Sequence, residues 1–169
     1  NTGAQLSYAT PMGHRTSTCE VGSKLSGKIT HHRDTTQIFA SCHIPYVFQA
    51  SEGYPEDLMR KVAKAQWYAK REGLVYGKVL TFCPLNWRTG DDQAQDVLQT
   101  AVDSCFFPLY EVEKGVTTIT YDPDAIDRRR PVKDWLKIMG KTRHLMKPVN
   151  EEFLTAIDDE VDRRWKRLK

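Results

Sequence analysis

The sequence has no run of about 18 apolar residues, so it predicts no transmembrane helix. Its opening, Asn1 to Thr10, is polar and lacks an apolar stretch. No secretory leader is expected from it, and a soluble, cytoplasmic protein follows as the default. Cysteine is sparse: Cys19, Cys42, Cys83 and Cys105 are widely spaced, and none forms a CxxC pair. That argues against a disulfide framework and against a zinc or iron–sulfur site completed within this chain. No GxSxG, P-loop, HExxH or Rossmann glycine fingerprint occurs, so the enzyme classes those motifs mark are not indicated. Charge of one sign is not in large excess either: the net charge is +3. Basic runs occur at Arg128-Arg129-Arg130 and at Arg163-Arg164 with Lys166-Arg167. Neither an aromatic-rich RNA motif nor a helix-turn-helix signature accompanies them, so they read as solvated surface or an interface rim, and no nucleic-acid partner is expected.

What is present suits one compact domain: 169 residues, 40% hydrophobic and 28% charged. Residues 1–33 show little periodicity and open like the middle of a domain. A processed chain, a split subunit or a fragment is expected. Leu6, Tyr8, Met12, Val21 and Leu25 argue that this long arm is ordered. From residue 34 the pattern changes. Asp34 is placed to cap a short helix reaching about His43, with Ile38, Phe39 and Cys42 on its apolar stripe. Tyr46-Val47-Phe48 reads as a buried strand. Pro55 suits a first helical position, Glu56 and Asp57 suit the positive end of the helix dipole, and Gly73 ends the helix. Leu58, Val62, Ala65 and Ala69 are expected on its inner face. A strand over 75–82 follows. This alternation predicts an α/β sheet. Residues 83–88 then form a loop beyond the strand's C-terminal end, the edge where open α/β sheets gather ligands. A helix from Asp91 or Asp92 turns Val97, Leu98, Ala101 and Val102 inward. Strands at 109–112 and 116–121 form a hairpin about Glu113-Lys114-Gly115. A short helix covers 133–139. Asn150 is placed to cap a last helix whose stripe is Phe153, Ile157, Val161, Trp165 and Leu168. Pro123 and the arginine run mark 122–131 as a link, which divides residues 1–121 from a helical C-terminal extension, 122–169.

On residues alone the reading stops at an α/β domain with an unusual loop. His31 and His32 are adjacent and point apart on regular structure, so they read as ordinary surface histidines. His14, His43 and His144 have no identifiable partner for a catalytic triad. Cys42 and Cys105 read as small buried hydrophobes on helix stripes.

A resemblance carries the reading further. NTGAQ, SYATPMG and the Thr16-Ser17-Thr18 cluster resemble the segment of 2-oxoacid:ferredoxin oxidoreductases that follows their Mg-thiamine-diphosphate motif. IPYVFQAS, YPEDLMRKVAKA, FCPLNWR, PLYEVEKG and RRPVKDWLKIMGKTRHL are similar to later segments of that family, in the same order. The likeness covers roughly residues 1–146 and fits best the β subunit of the pyruvate-type enzymes. It implies the C-terminal part of a thiamine-diphosphate-binding, Rossmann-like fold with a C-terminal hairpin and helical appendage. It implies oxidative decarboxylation of a pyruvate-like 2-oxoacid to acyl-coenzyme A and carbon dioxide, with electrons passed through iron–sulfur clusters to ferredoxin. It places Asn1 beside the cofactor's thiazolium ring and the substrate, as the catalytic residue, with Thr2 and Gly3 following at the cofactor's edge. It makes Cys83 the fourth ligand of a [4Fe-4S] cluster whose other three ligands lie in the N-terminal part of the subunit. In the family Mg2+ is held by an aspartate of a GDG sequence and by residues upstream of NTG, all absent from this sequence. Every cofactor is then shared with residues outside this chain, and the partners are other subunits or the N-terminal part of the same subunit. An acidic ferredoxin or a partner subunit is the expected contact of the basic runs. Two other readings stay open: a non-catalytic assembly subunit, and a non-redox thiamine-diphosphate carboligase or decarboxylase.

Overall fold

A computed structural model describes residues 10–16 and 18–169. Its centre is β1 (Tyr46–Ser51), six residues that are all buried. They are buried because β1 is an inner strand. It pairs parallel with β2 (Val75–Leu80) on one side and antiparallel with β3 (Leu109–Glu113) on the other. β3 returns as β4 (Val116–Tyr121), giving the order β2-β1-β3-β4. The hairpin turn has positive φ at both central residues, Lys114 at 50° and Gly115 at 85°. That is the two-residue turn whose twist matches the flanking strands, and glycine carries the left-handed angle at no steric cost.

The alternation of side chains along β1 assigns its two faces. Tyr46, Phe48 and Ala50 meet α2 (Pro55–Arg71), the crossover between the parallel strands. Val47 joins Ile44, Tyr110 and Val112, with Phe39 of α1 (Thr35–Ser41) stacked on Tyr76 at 4.0 Å. Asp34 caps α1 as expected, its carboxylate accepting from Gln37 N at 3.4 Å. Gln49, a buried polar side chain on this strand, is satisfied: it donates to Pro108 O at 2.8 Å and accepts from Thr36 Oγ1 at 3.0 Å.

The inner face of α2 differs from the expected one. Val62 is 50% exposed and Ala69 is also outside, whereas Lys61 is 1% exposed and Tyr68 4%. Tyr68 stacks on Tyr46 at 5.3 Å, which turns the helix. Lys61 then points inward and its ammonium finds three acceptors: Gln49 O at 2.8 Å, Asp57 Oδ2 at 2.7 Å and Thr120 Oγ1 at 2.7 Å. Hydropathy reads a lysine as outward, and in this helix its hydrogen bonds reverse that reading.

The main core gathers Leu80, α4 (Ala94–Asp103), α5 (Val132–Ile138) and α6 (Glu151–Leu168). Val97, Leu98, Ala101 and Val102 are buried as expected, and so are Ile157, Val161 and Trp165 of α6. The α5 and α6 helices of residues 122–169 share this core with α4. Two cysteine expectations change. Cys42 is exposed just past α1, and Cys105 is buried in the turn after α4 with φ 55° rather than on a helix stripe. Asn150 precedes α6 without capping it. Its amide is engaged elsewhere, accepting from Ser26 Oγ and donating to His144 O, both at 2.8 Å. Among the described residues, no helix is long and apolar enough to cross a membrane.

Candidate functional site

The chain leaves β2 at the sheet's C-terminal edge and reaches Cys83, a free, half-buried thiol. Residues 83–88 are not an open loop. Pro84 starts a single helical turn, α3 (Pro84–Trp87), with Cys83 extended at φ −144° and ψ 95° just before it. Trp87 N donates to Cys83 O at 3.0 Å. The Glu52 carboxylate, at the end of neighbouring β1, accepts from Phe82 N. Trp87 anchors the turn: it is 1% exposed and packs edge-on against Phe82 at 5.7 Å and Trp135 at 6.4 Å. The thiol therefore sits on a support fixed by the main core.

A second segment closes on α3. Gly140 N donates to Arg88 O and Lys141 N to Trp87 O, both at 3.2 Å. A β-carbon at residue 140 would lie 2.7 Å from Arg88 O, so the approach needs glycine. The Lys141 ammonium donates to Asn86 Oδ1 at 2.8 Å. Burial pushes the Lys141 pKa down, Arg88 adds to that, and Cys83 opposes it. The arm supplies the third wall. It folds back on itself through Gly13 N to Lys28 O at 2.7 Å and Lys28 N to His14 O at 2.9 Å. It is held to the closing segment by His144 Nε2, which donates to Gly13 O at 2.8 Å. Arm, α3 and closing segment together bound a cleft of about 690 Å³. Arg15, Arg88, Lys141 and His144 line it, with Glu20 the acidic residue of its lining. Arg15 pairs with Glu20 at 3.0 Å, so the cleft's remaining charge is positive.

Two histidines are not surface residues. His14 is 1% exposed, its Nδ1 has no hydrogen-bond partner among the described residues, and burial, then Lys141, pushes its pKa down to about 3. His32 accepts from Arg164 Nη1 at 2.7 Å, which requires a neutral ring because arginine only donates. Burial, then Arg164, holds its pKa well below the usual value. The basic runs are partly internal too. Arg164 is 6% exposed and also meets Asp34 at 3.3 Å. Arg129 reaches Asp162 at 2.7 Å, and Arg130 reaches Asp134 at 3.4 Å. Lys141, Arg88, His144 and Gly140 are not legible as site residues in the sequence, because nothing in it ties residue 140 to residue 88. The GK within the closing segment is the available signal.

Cys83 thus lies past the C-terminal end of β2, whereas Asn1, Thr2 and Gly3 lie outside the described residues. Among the described residues, no three His, Cys, Asp or Glu side chains gather to hold a metal ion.

No protein-family model matches the chain. Curated relatives do. Pyruvate synthase subunit PorB of Thermotoga maritima is 37% identical over 169 residues, covering 99% of this chain and 50% of that protein. The subunit of the same name from Methanocaldococcus jannaschii is 38% identical over 168 residues, covering 99% and 53%. Ketoisovalerate oxidoreductase subunit VorB of Pyrococcus horikoshii is 32% identical over 169 residues, covering 100% and 52%. The chain spans about half the length of the curated relatives it matches.

Proposed function

This chain is a homologue of the PorB and VorB oxidoreductase subunits, matching about half of each, and from that we propose that it is the C-terminal part of the thiamine-diphosphate-binding subunit of a 2-oxoacid:ferredoxin oxidoreductase. The observation that carries the reading within the molecule is Cys83: a free thiol at the sheet's C-terminal edge, on a core-anchored turn beside a positively charged cleft. A cluster needs cysteine ligands, and a cysteine at this edge is one that a cluster can reach. The residues present therefore fit one ligand of a [4Fe-4S] cluster, whose remaining ligands come from outside this chain. Asn1, followed by Thr2 and Gly3, is assigned to the thiamine diphosphate and substrate. Its amide can hydrogen-bond a substrate carboxylate or a developing oxyanion. When bound, thiamine diphosphate supplies the electron sink for loss of carbon dioxide and the cluster a one-electron carrier. Mg2+ is held by residues outside this chain. The 2-oxoacid is pyruvate or a close relative, with coenzyme A taking the acyl group and ferredoxin the electrons. Partner contacts fall to exposed arginines and lysines of the surface, Lys166 among them.

The test is dye reduction by the native complex containing this chain, across a panel of 2-oxoacids, with and without coenzyme A. Reduction with one acid, dependent on coenzyme A, is expected. Iron and sulfide analysis of Cys83→Ala is expected to show one cluster lost. A complex that holds thiamine diphosphate and iron yet reduces no dye would transfer the weight to an assembly subunit or a non-redox thiamine-diphosphate enzyme. Full cluster content in Cys83→Ala would remove the ligand assignment.

A further inference from the structure

We propose that Lys141 is an electrostatic positioning residue: a cation fixed on the turn that Cys83 opens, which raises the reduction potential of the cluster bound there. The proposal rests on the reading of Cys83 as a cluster ligand.

Lys141 is held in place at two points. Its backbone N–H is bonded to Trp87 O, and its ammonium to Asn86 Oδ1 at 2.8 Å. Both partners belong to the single helical turn that Cys83 opens, so cation and thiol share one rigid support. The support is tight, since Gly140 admits no β-carbon against Arg88 O. The electrostatics have the matching sign. Burial and Arg88 disfavour the charged lysine, and the Asn86 oxygen at 2.8 Å holds its ammonium in place. Arg88 adds a second positive charge to the same wall. Of the nearby carboxylates, Glu20 is matched by Arg15, and Glu52 accepts from Phe82 N. Reduction adds one electron to the cluster and makes it more negative. A fixed cation stabilises that reduced state more than the oxidised one, and the half-buried setting weakens the screening. A lysine serving packing alone would act through its methylenes and would not move a potential through its charge.

The experiment is a spectroscopically monitored redox titration of the clusters in the native complex, with iron and sulfide measured on each preparation. Lys141→Met is expected to keep its clusters and to lower one midpoint. At a fixed potential the reduced-to-oxidised ratio of that cluster falls roughly tenfold, about 59 mV for one electron. Lys141→Gln, a second neutral variant, carries the same expectation. Lys141→Arg keeps the charge and is expected to titrate as the wild type. Unchanged midpoints in both neutral variants, at full iron content, would overturn the proposal. So would an equal shift in Lys141→Arg, since packing and not charge would then be at work. Cys83→Ala is the separate control: its loss of one cluster upholds the ligand reading whatever Lys141 does.

Discussion

His14 ties the arm's stability to pH in a way that can be worked through. Its ring is 1% exposed, Nδ1 has no hydrogen-bond partner among the described residues, and its pKa is pushed from 6.5 down to about 3, first by burial and then by Lys141. In the unfolded chain the same ring titrates near 6.5. Between those values the unfolded state binds the proton and the folded state does not. Stability therefore rises with pH in this window and is lost as pH falls from about 6.5 toward about 3. The slope approaches about 1.4 kcal/mol per pH unit, and from pH 7 to pH 5 the loss through this residue is about 2 kcal/mol. The comparison is urea denaturation of the wild type and His14→Gln at pH 7, 6 and 5, read by tryptophan fluorescence. His31 and His32, whose pKa values burial also lowers, act alike in both proteins and cancel in the difference. The advantage of the wild type over the variant should shrink by about 2 kcal/mol between pH 7 and pH 5. An advantage that stays constant over that range would refute the assignment of a buried, neutral His14.

Two further changes probe the scaffold under the site. Lys61→Met strands the Asp57 carboxylate and two other acceptors inside the protein. It should cost about 3–5 kcal/mol in urea denaturation, and adding Asp57→Leu should recover a good part of that. Gly140→Ala sets a methyl 2.7 Å from Arg88 O. A loss of about 1–3 kcal/mol is expected, seen as a lower melting temperature, with serine at this position no better tolerated.

Secondary structure is largely legible in the sequence because local chemistry governs it. Asp34, Pro55 and Lys114-Gly115 sit where cap, first helical residue and turn require them. The apolar stripe of α4 is buried, and so is the middle of the α6 stripe, Ile157, Val161 and Trp165, with Phe153 and Leu168 partly buried at its ends. Legibility ends where a polar group is buried. The face of α2 departs from its hydropathy because Lys61 satisfies its charge with groups that lie 12 and 59 residues away along the chain. His32 and Arg164 are internal for the same reason, being partners 132 residues apart. The sequence by itself determined the α/β alternation, the family likeness and the standing of Cys83 at a strand end, since each depends on residue type and order over short spans. Only the tertiary structure decided what closes on the turn that this cysteine opens. The arm, α3 and the segment from Gly140 to His144 meet in space through backbone hydrogen bonds and one glycine-sized gap, and no short-range pattern encodes such a meeting.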